Sequence, residues 1–210
     1  MDLYISPMSC SFAVHVACVE AGLTPTIHCV DRKTKRLDDG SDYRSIAPQA
    51  IVPAVRLGDG GLLTESAAVL QYVADRAPEK GLAPAPGSPE RYRLVEWINF
   101  VTSEIHKKHL WMVFSSKTPT AVKDWARANA GPPLAHVAQH LEGREHLMGD
   151  RFTVADAYLF WALLVAPHGG IALDEWPALG RYVERIQKRP SVATVLGIEL
   201  PLYRREASAA

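Results

Sequence analysis

Residues 78–89 carry four prolines and two glycines in twelve positions, Pro78, Gly81, Pro84, Pro86, Gly87 and Pro89, and no other stretch limits the fold as much. Proline lacks the backbone N–H, and glycine leaves the backbone loose. Such a run neither propagates a helix nor joins a sheet ladder. It reads as a linker between two folding units, and the two sides differ in kind. Before it the apolar pattern switches between strand and helix periods; after it every strong pattern is helical. The expected organisation is an α/β domain over residues 1–78, a linker at 79–88, an all-helical domain over 89–202 and a flexible tail at 203–210.

In the first unit the pattern predicts a strand over 3–6 and a helix over 11–21 that stops at Gly22, a residue suited to the left-handed conformation past a helix end. A second strand is expected over 26–30 and a short helix at 43–46. A third strand over 52–57 leads through the hairpin turn Gly58-Asp59-Gly60-Gly61 into a fourth over 62–64, and a helix follows over 66–76. The order is βαβ, then ββα. In the second unit Ser88 caps a helix that starts at Pro89 and runs past His106. Helices are also expected over 121–130, from a break at Pro132-Pro133 to Leu141, and over 177–189. Thr153 with Asp156 three residues on is a capping-box start, and the apolar run 157–166 behind it reads as buried.

Charge excludes some partners. Lys plus Arg equals Asp plus Glu at 23 each, so no basic surplus exists to neutralise a nucleic-acid backbone. No apolar run is long enough to span a bilayer, and the first residues lack the pattern of a signal peptide. Cys10, Cys18 and Cys29 are odd in number and form no C-x-x-C, so a disulfide framework is not expected and a reducing cytoplasm fits.

Cys10 falls between the first strand and the first helix. A cysteine at a helix N-terminus feels the positive end of the dipole, which favours thiolate and suits thiol chemistry; a small buried hydrophobe is the other reading. Ser66 at the next strand–helix junction is either a plain N-cap or half of an anion site with the N–H groups beside it. Pro53 opens a strand after Val52. Asn99, Ser103, His106 and Lys107 fall on one face of an α-helix, either a solvated stripe or one wall of a ligand cleft. His136 and His140, and His106 and His109, have the spacing of a metal clip but lack a third ligand, so no metal is expected.

The combination resembles the cytosolic glutathione S-transferases over residues 1–200. It is carried by the βαβ–ββα half, Val52-Pro53-Ala54, Leu63-Thr64-Glu65-Ser66, Asp38-Asp39-Gly40-Ser41-Asp42-Tyr43, Glu96-Trp97-Ile98-Asn99, Glu104-Ile105-His106-Lys107 and the segment from Arg151 to Tyr158. The start Pro7-Met8-Ser9-Cys10-Ser11 resembles the bacterial beta class. The resemblance implies an α/β N-terminal thioredoxin-like domain plus an all-α C-terminal domain that forms the acceptor-substrate pocket. It implies glutathione as co-substrate, a small electrophilic acceptor and a homodimer. Cys10 and His106 become catalytic, with Ser9 beside the thiol. Val52, preceding a cis Pro53, pairs with the cysteinyl part; Glu65 and Ser66 hold the γ-glutamyl end, and Lys35 the glycyl carboxylate. Lys107 adds charge near the sulfur, and Asn99 and Ser103 reach the glutathione of the other subunit. His109, Trp111, Met112 and Phe114 line the acceptor pocket. Thr153 and Asp156 match the family's folding-related capping box. Ala50-Ile51 departs from the Gly-Gln that relatives often carry there, so one side-chain contact to glutathione is missing. A thiol transferase or peroxidase working through a Cys10 mixed disulfide is the alternative activity, and a non-catalytic binding protein on the same fold is the third reading.

Overall fold

The alternation of the first unit condenses into one mixed sheet. Strands β1 (Asp2–Ile5), β2 (Thr26–Cys29), β3 (Ala54–Arg56) and β4 (Leu62–Thr64) lie in the order β2-β1-β3-β4. β1 and β2 run parallel and are joined by α1 (Ser11–Glu20), because parallel neighbours need a crossover; β1–β3 and β3–β4 are antiparallel. Gly60, at φ +85°, turns the β3–β4 hairpin, and Gly22, at φ +70°, ends α1 as its sequence position implies. α2 (Ser66–Asp75) packs against α1. Leu3, Ile5, Phe12, Val16, Val55, Leu70 and Val73 are wholly buried.

The computed structural model describes residues 1–208. They cluster into two units whose boundaries correct those expected. One comprises Met1–Leu82 together with α9 (Pro190–Ser208), the other Ala83–Arg189. Residues 190–202 therefore leave the helical domain. α9 lies along α1, with Val192 and Val195 buried, and the Ser191 hydroxyl donates to Glu20 at 2.5 Å. Residues 203–208 continue α9 instead of forming a tail, with the Arg32 guanidinium 5.0 Å above the Tyr203 ring and 3.6 Å from the Glu206 carboxylate. Residues 209–210 lie outside the described residues. The expected linker also starts differently: Pro78–Lys80 is a 3₁₀ turn that belongs to the first unit.

In the helical unit α3 (Pro89–Phe100) begins as predicted, its Arg91 N–H donating to Ser88 Oγ at 3.1 Å. It does not run on past His106 as an α-helix. Val101–Leu110 is π-helical, and α4 (Trp111–Phe114) follows. Thr102 and Ser103 donate their hydroxyls to the Ile98 and Asn99 carbonyls at 2.8 and 3.0 Å, back-bonds that bend helices at the point where the register changes. α5 (Thr120–Ala128) and α6 (Gly131–Leu141) come next. Pro132 and Pro133 start α6 instead of breaking it, since a first-turn residue needs no N–H partner. α7 (Val154–Val165) threads the centre of the unit, buried at nearly every position. Its capping box closes, Asp156 Oδ2 accepting from the Thr153 N–H at 2.9 Å and its hydroxyl at 3.0 Å. α8 (Pro177–Gln187) completes the unit. No helix among the described residues is long and apolar enough to cross a membrane.

Candidate active site

Cys10 is the N-cap of α1, partly exposed, and its thiol donates to the Val52 carbonyl at 3.3 Å. The turn that delivers it is tied down by hydroxyls. Ser11 Oγ accepts from the Ser6 N–H at 3.1 Å and lies 2.9 Å from Ser9 Oγ, and Ser6 Oγ donates to the Val30 carbonyl at 2.5 Å. Ser9 thus faces its neighbour Ser11 within the turn.

A second tie comes from far along the chain. The Met8 N–H donates to Glu199 Oε2 at 2.7 Å, and Glu199 Oε1 lies 2.9 Å from His15 Nδ1. Glu199 is 0% exposed. A fully buried carboxylate is tolerable only when partnered, so this pair fixes α9, α1 and the turn before Cys10 together.

Among the described residues four non-glycine positions have positive φ: Met8 at 59°, Lys35 at 60°, Ala50 at 51° and Glu65 at 69°. Each such residue costs about 1 kcal/mol or more and persists only where its surroundings over-determine it, a pattern that gathers at ligand sites. All four belong to the sheet unit. Lys35 and Glu65 are themselves candidate glutathione ligands, Met8 precedes Cys10 by two residues, and Ala50 precedes Val52 by two. The Val52–Pro53 bond is cis.

Glu65, not Ser66, is the N-cap of α2, and its side chain makes no capping bond. The plain N-cap reading of Ser66 is therefore excluded. Ser66 is the first helical residue, buried, and its hydroxyl makes no hydrogen bond among the described residues. Together with the orphan N–H groups of the first turn it forms a cradle for a carboxylate, with the exposed Glu65 carboxylate alongside for a cation.

In the helical unit the expected stripe of Asn99, Ser103, His106 and Lys107 splits, because the π segment does not keep the α period. Asn99, Ser103 and Lys107 are exposed, whereas His106 turns inward and is 5% exposed. Its Nδ1 lies 2.7 Å from the Tyr158 hydroxyl and its ring meets Trp161 edge-on at 4.8 Å. Burial, helped by the Lys107 charge, pushes the His106 pKa down to about 3, so the ring is neutral near pH 7. Lys107 Nζ sits 4.8 Å above the Trp111 ring. Trp111 and Phe114 are each 49% exposed, and Met112 is half-buried beside them.

His109 departs from this group, and its placement in the acceptor pocket is corrected. It is 1% exposed, hydrogen-bonded through Nδ1 to the Ala126 carbonyl at 2.8 Å and stacked on Trp125, which makes it a core histidine. His136 and His140 pack on Trp97 at 5.6 and 4.4 Å, and His140 Nε2 is taken up by the Leu147 carbonyl at 2.9 Å. Sequence reasoning missed Glu199 and the contact of Tyr158 with His106. Glu199 did leave a signal, a lone acid in the apolar run Val195-Leu196-Gly197-Ile198-Glu199-Leu200. Tyr158 left none beyond lying in a quoted segment.

Two family models match: "Glutathione S-transferase, N-terminal domain" over residues 7–76 and "Glutathione S-transferase, C-terminal domain" over residues 100–190. Glutathione S-transferase GstA of Escherichia coli O157:H7 is 37% identical over 199 residues, which cover 95% of this chain and 98% of that protein. Two solved structures are each 39% identical, cover 95% of this chain and 98% of their own, and superpose with a TM-score of 0.90. One is a sphingomonad glutathione S-transferase complexed with glutathione, the other the bacterial beta-class glutathione S-transferase of Sphingomonas chungbukensis.

Proposed function

The chain belongs to the glutathione S-transferase family, and from that premise we propose that it binds reduced glutathione in the sheet unit and transfers its thiolate to small, largely apolar electrophiles. The observation that carries the reading is the N-terminus of α2, where a buried serine hydroxyl with no hydrogen bond among the described residues sits among orphan N–H groups directly after a strained glutamate.

Each part of the tripeptide has a matching group. The γ-glutamyl carboxylate takes Ser66 and the first N–H groups of α2, its ammonium takes Glu65, and the extended cysteinyl backbone pairs with Val52 beside Pro53. The glycyl carboxylate takes Lys35. Cys10, its neighbour Ser9 and the dipole of α1 favour the thiolate of the bound thiol, and the neutral His106 adds one hydrogen-bonding nitrogen. Lys107 adds a positive charge. Lowering the thiol pKa by ~2 units corresponds to about 2.7 kcal/mol and makes most of the bound glutathione nucleophilic near neutral pH. The acceptor rests on Trp111, Met112 and Phe114. Asn99 and Ser103, exposed on the helical unit, reach glutathione held by a second copy in a homodimer. Three free cysteines fit a reducing cytoplasm.

Calorimetric titration of reduced glutathione into wild type and Ser66→Asp tests this. Micromolar-to-millimolar binding that disappears when a carboxylate occupies the ligand carboxylate's place supports the site. Equal binding by both proteins overturns it.

The position of Cys10 favours a second reading. Its thiolate attacks the glutathionyl sulfur of a mixed-disulfide substrate, breaking that S–S bond to form a Cys10–glutathione disulfide and release the substrate's thiolate; a further glutathione thiolate then resolves it, freeing Cys10 and leaving as oxidised glutathione. A mass increase of one glutathionyl group on Cys10, reversed by reductant, is its signature.

A further inference from the structure

We propose that Tyr158 is a positioning residue: its hydroxyl holds the His106 imidazole in one tautomer and one ring orientation, fixing whether Nε2 offers a proton or a lone pair to the bound thiol. The proposal rests on the reading that His106 acts on the glutathione sulfur.

The geometry stands within the helical unit. The Tyr158 oxygen is 2.7 Å from His106 Nδ1, and the two residues are 1% and 5% exposed. Trp161 lies edge-on to the His106 ring at 4.8 Å and is stacked on Tyr158 at 5.9 Å with 26° between the planes. The ring is therefore held by one hydrogen bond and one aromatic wall, both from α7. Tyr158 and Trp161 are three residues apart and lie on one face of that helix.

Chemistry makes this contact decisive. A neutral imidazole carries one N–H and one lone pair, and in water the proton exchanges between the two nitrogens. A short hydrogen bond at Nδ1 removes that freedom. If the phenol donates, Nε2 keeps the proton; if Nδ1 donates, Nε2 is bare. In either case the second nitrogen has one fixed character, as when an outer partner fixes the tautomer of a metal-bound histidine. Burial keeps the ring neutral, so no imidazolium with two N–H groups blurs the distinction.

The test is nitrogen NMR of ¹⁵N-histidine-labelled protein with glutathione bound, together with steady-state kinetics, on wild type, Tyr158→Phe, His106→Ala and the double variant. Wild type shows His106 as a single tautomer, with one pyrrole-type and one pyridine-type nitrogen. Tyr158→Phe keeps the fold and the ring stack but shows both tautomers in exchange. Its kcat falls roughly tenfold, the effect of one lost hydrogen bond, while KM for glutathione stays within about twofold. The same substitution adds nothing in the His106→Ala background. A purely structural role predicts a lower melting temperature with tautomer and kcat unchanged, and that result overturns the proposal. A mixture of tautomers in wild type also overturns it and needs no variant to fold. Full conjugation by His106→Ala instead overturns the reading of His106 itself, and the two failures are separately visible.

Discussion

Three cysteines occupy three environments, and two of them hold the thiol in its protonated form. Cys18 is on the buried face of α1, and burial pushes its thiol up to about 12. Cys29, at the end of β2, is pushed up to about 11 by burial and by the carboxylates of Asp38, Glu199 and Glu206. Both are thiols throughout the neutral range, whereas Cys10 stands partly exposed at the positive end of α1. Iodoacetamide at pH 7.5 is therefore expected to modify Cys10 alone in native protein, read as one carbamidomethyl group by peptide mass mapping. Rapid labelling of Cys29 would show that its environment is misjudged. At this scale sequence and resemblance named Cys10, Ser66 and Pro53, but the residues by themselves left the first two open. A residue's role depends on partners that local pattern cannot supply. Ser66 became distinctive only when Glu65 proved to hold the cap position. His106 became a neutral inward ring only when Tyr158, 52 residues away, was seen against it.

Elements were legible where one period persists and obscure where it changes. The strands, α1, α2 and α7 fall within one or two residues of the positions their patterns imply. The π segment Val101–Leu110 was hidden, because its composition is that of an ordinary amphipathic helix. Prolines misled in one direction: Pro132 and Pro133 look like a break, yet both lie in the first turn of α6. The best-determined element is α7, and its start is the test. Asp156 is 0% exposed and accepts from the Leu147 N–H at 2.8 Å, the Thr153 N–H at 2.9 Å, the Thr153 hydroxyl at 3.0 Å and the Tyr182 hydroxyl at 3.0 Å. Asp156→Ala strands several buried donors at once and is expected to cost about 3 kcal/mol or more. Urea denaturation checks this, and a loss under 1 kcal/mol would refute the capping account.

At the scale of the molecule, the sheet unit is made from two distant parts of the chain, Met1–Leu82 and α9. The expected boundary failed because the residues that bind α9 to α1 and to the turn before it lie 171 to 191 positions apart. Glu199 is the critical tie. Glu199→Ala leaves His15 buried without its carboxylate and the Met8 N–H without its acceptor, and is expected to lower stability by about 2–4 kcal/mol. Glu199→Gln should recover part of this, since an amide oxygen still accepts from Met8; equal urea midpoints for wild type and Glu199→Ala would dismiss the tie. The same connectivity sets an order of events during synthesis. The helical unit is contiguous, so it can fold as soon as residues 83–189 have left the ribosome. The sheet unit is emitted first yet finishes last, waiting for α9 to arrive and seat Glu199. A nascent or truncated chain therefore lacks the carboxylate that accepts from Met8 and meets His15, and the turn before Cys10 gains that anchor only once translation has passed residue 199.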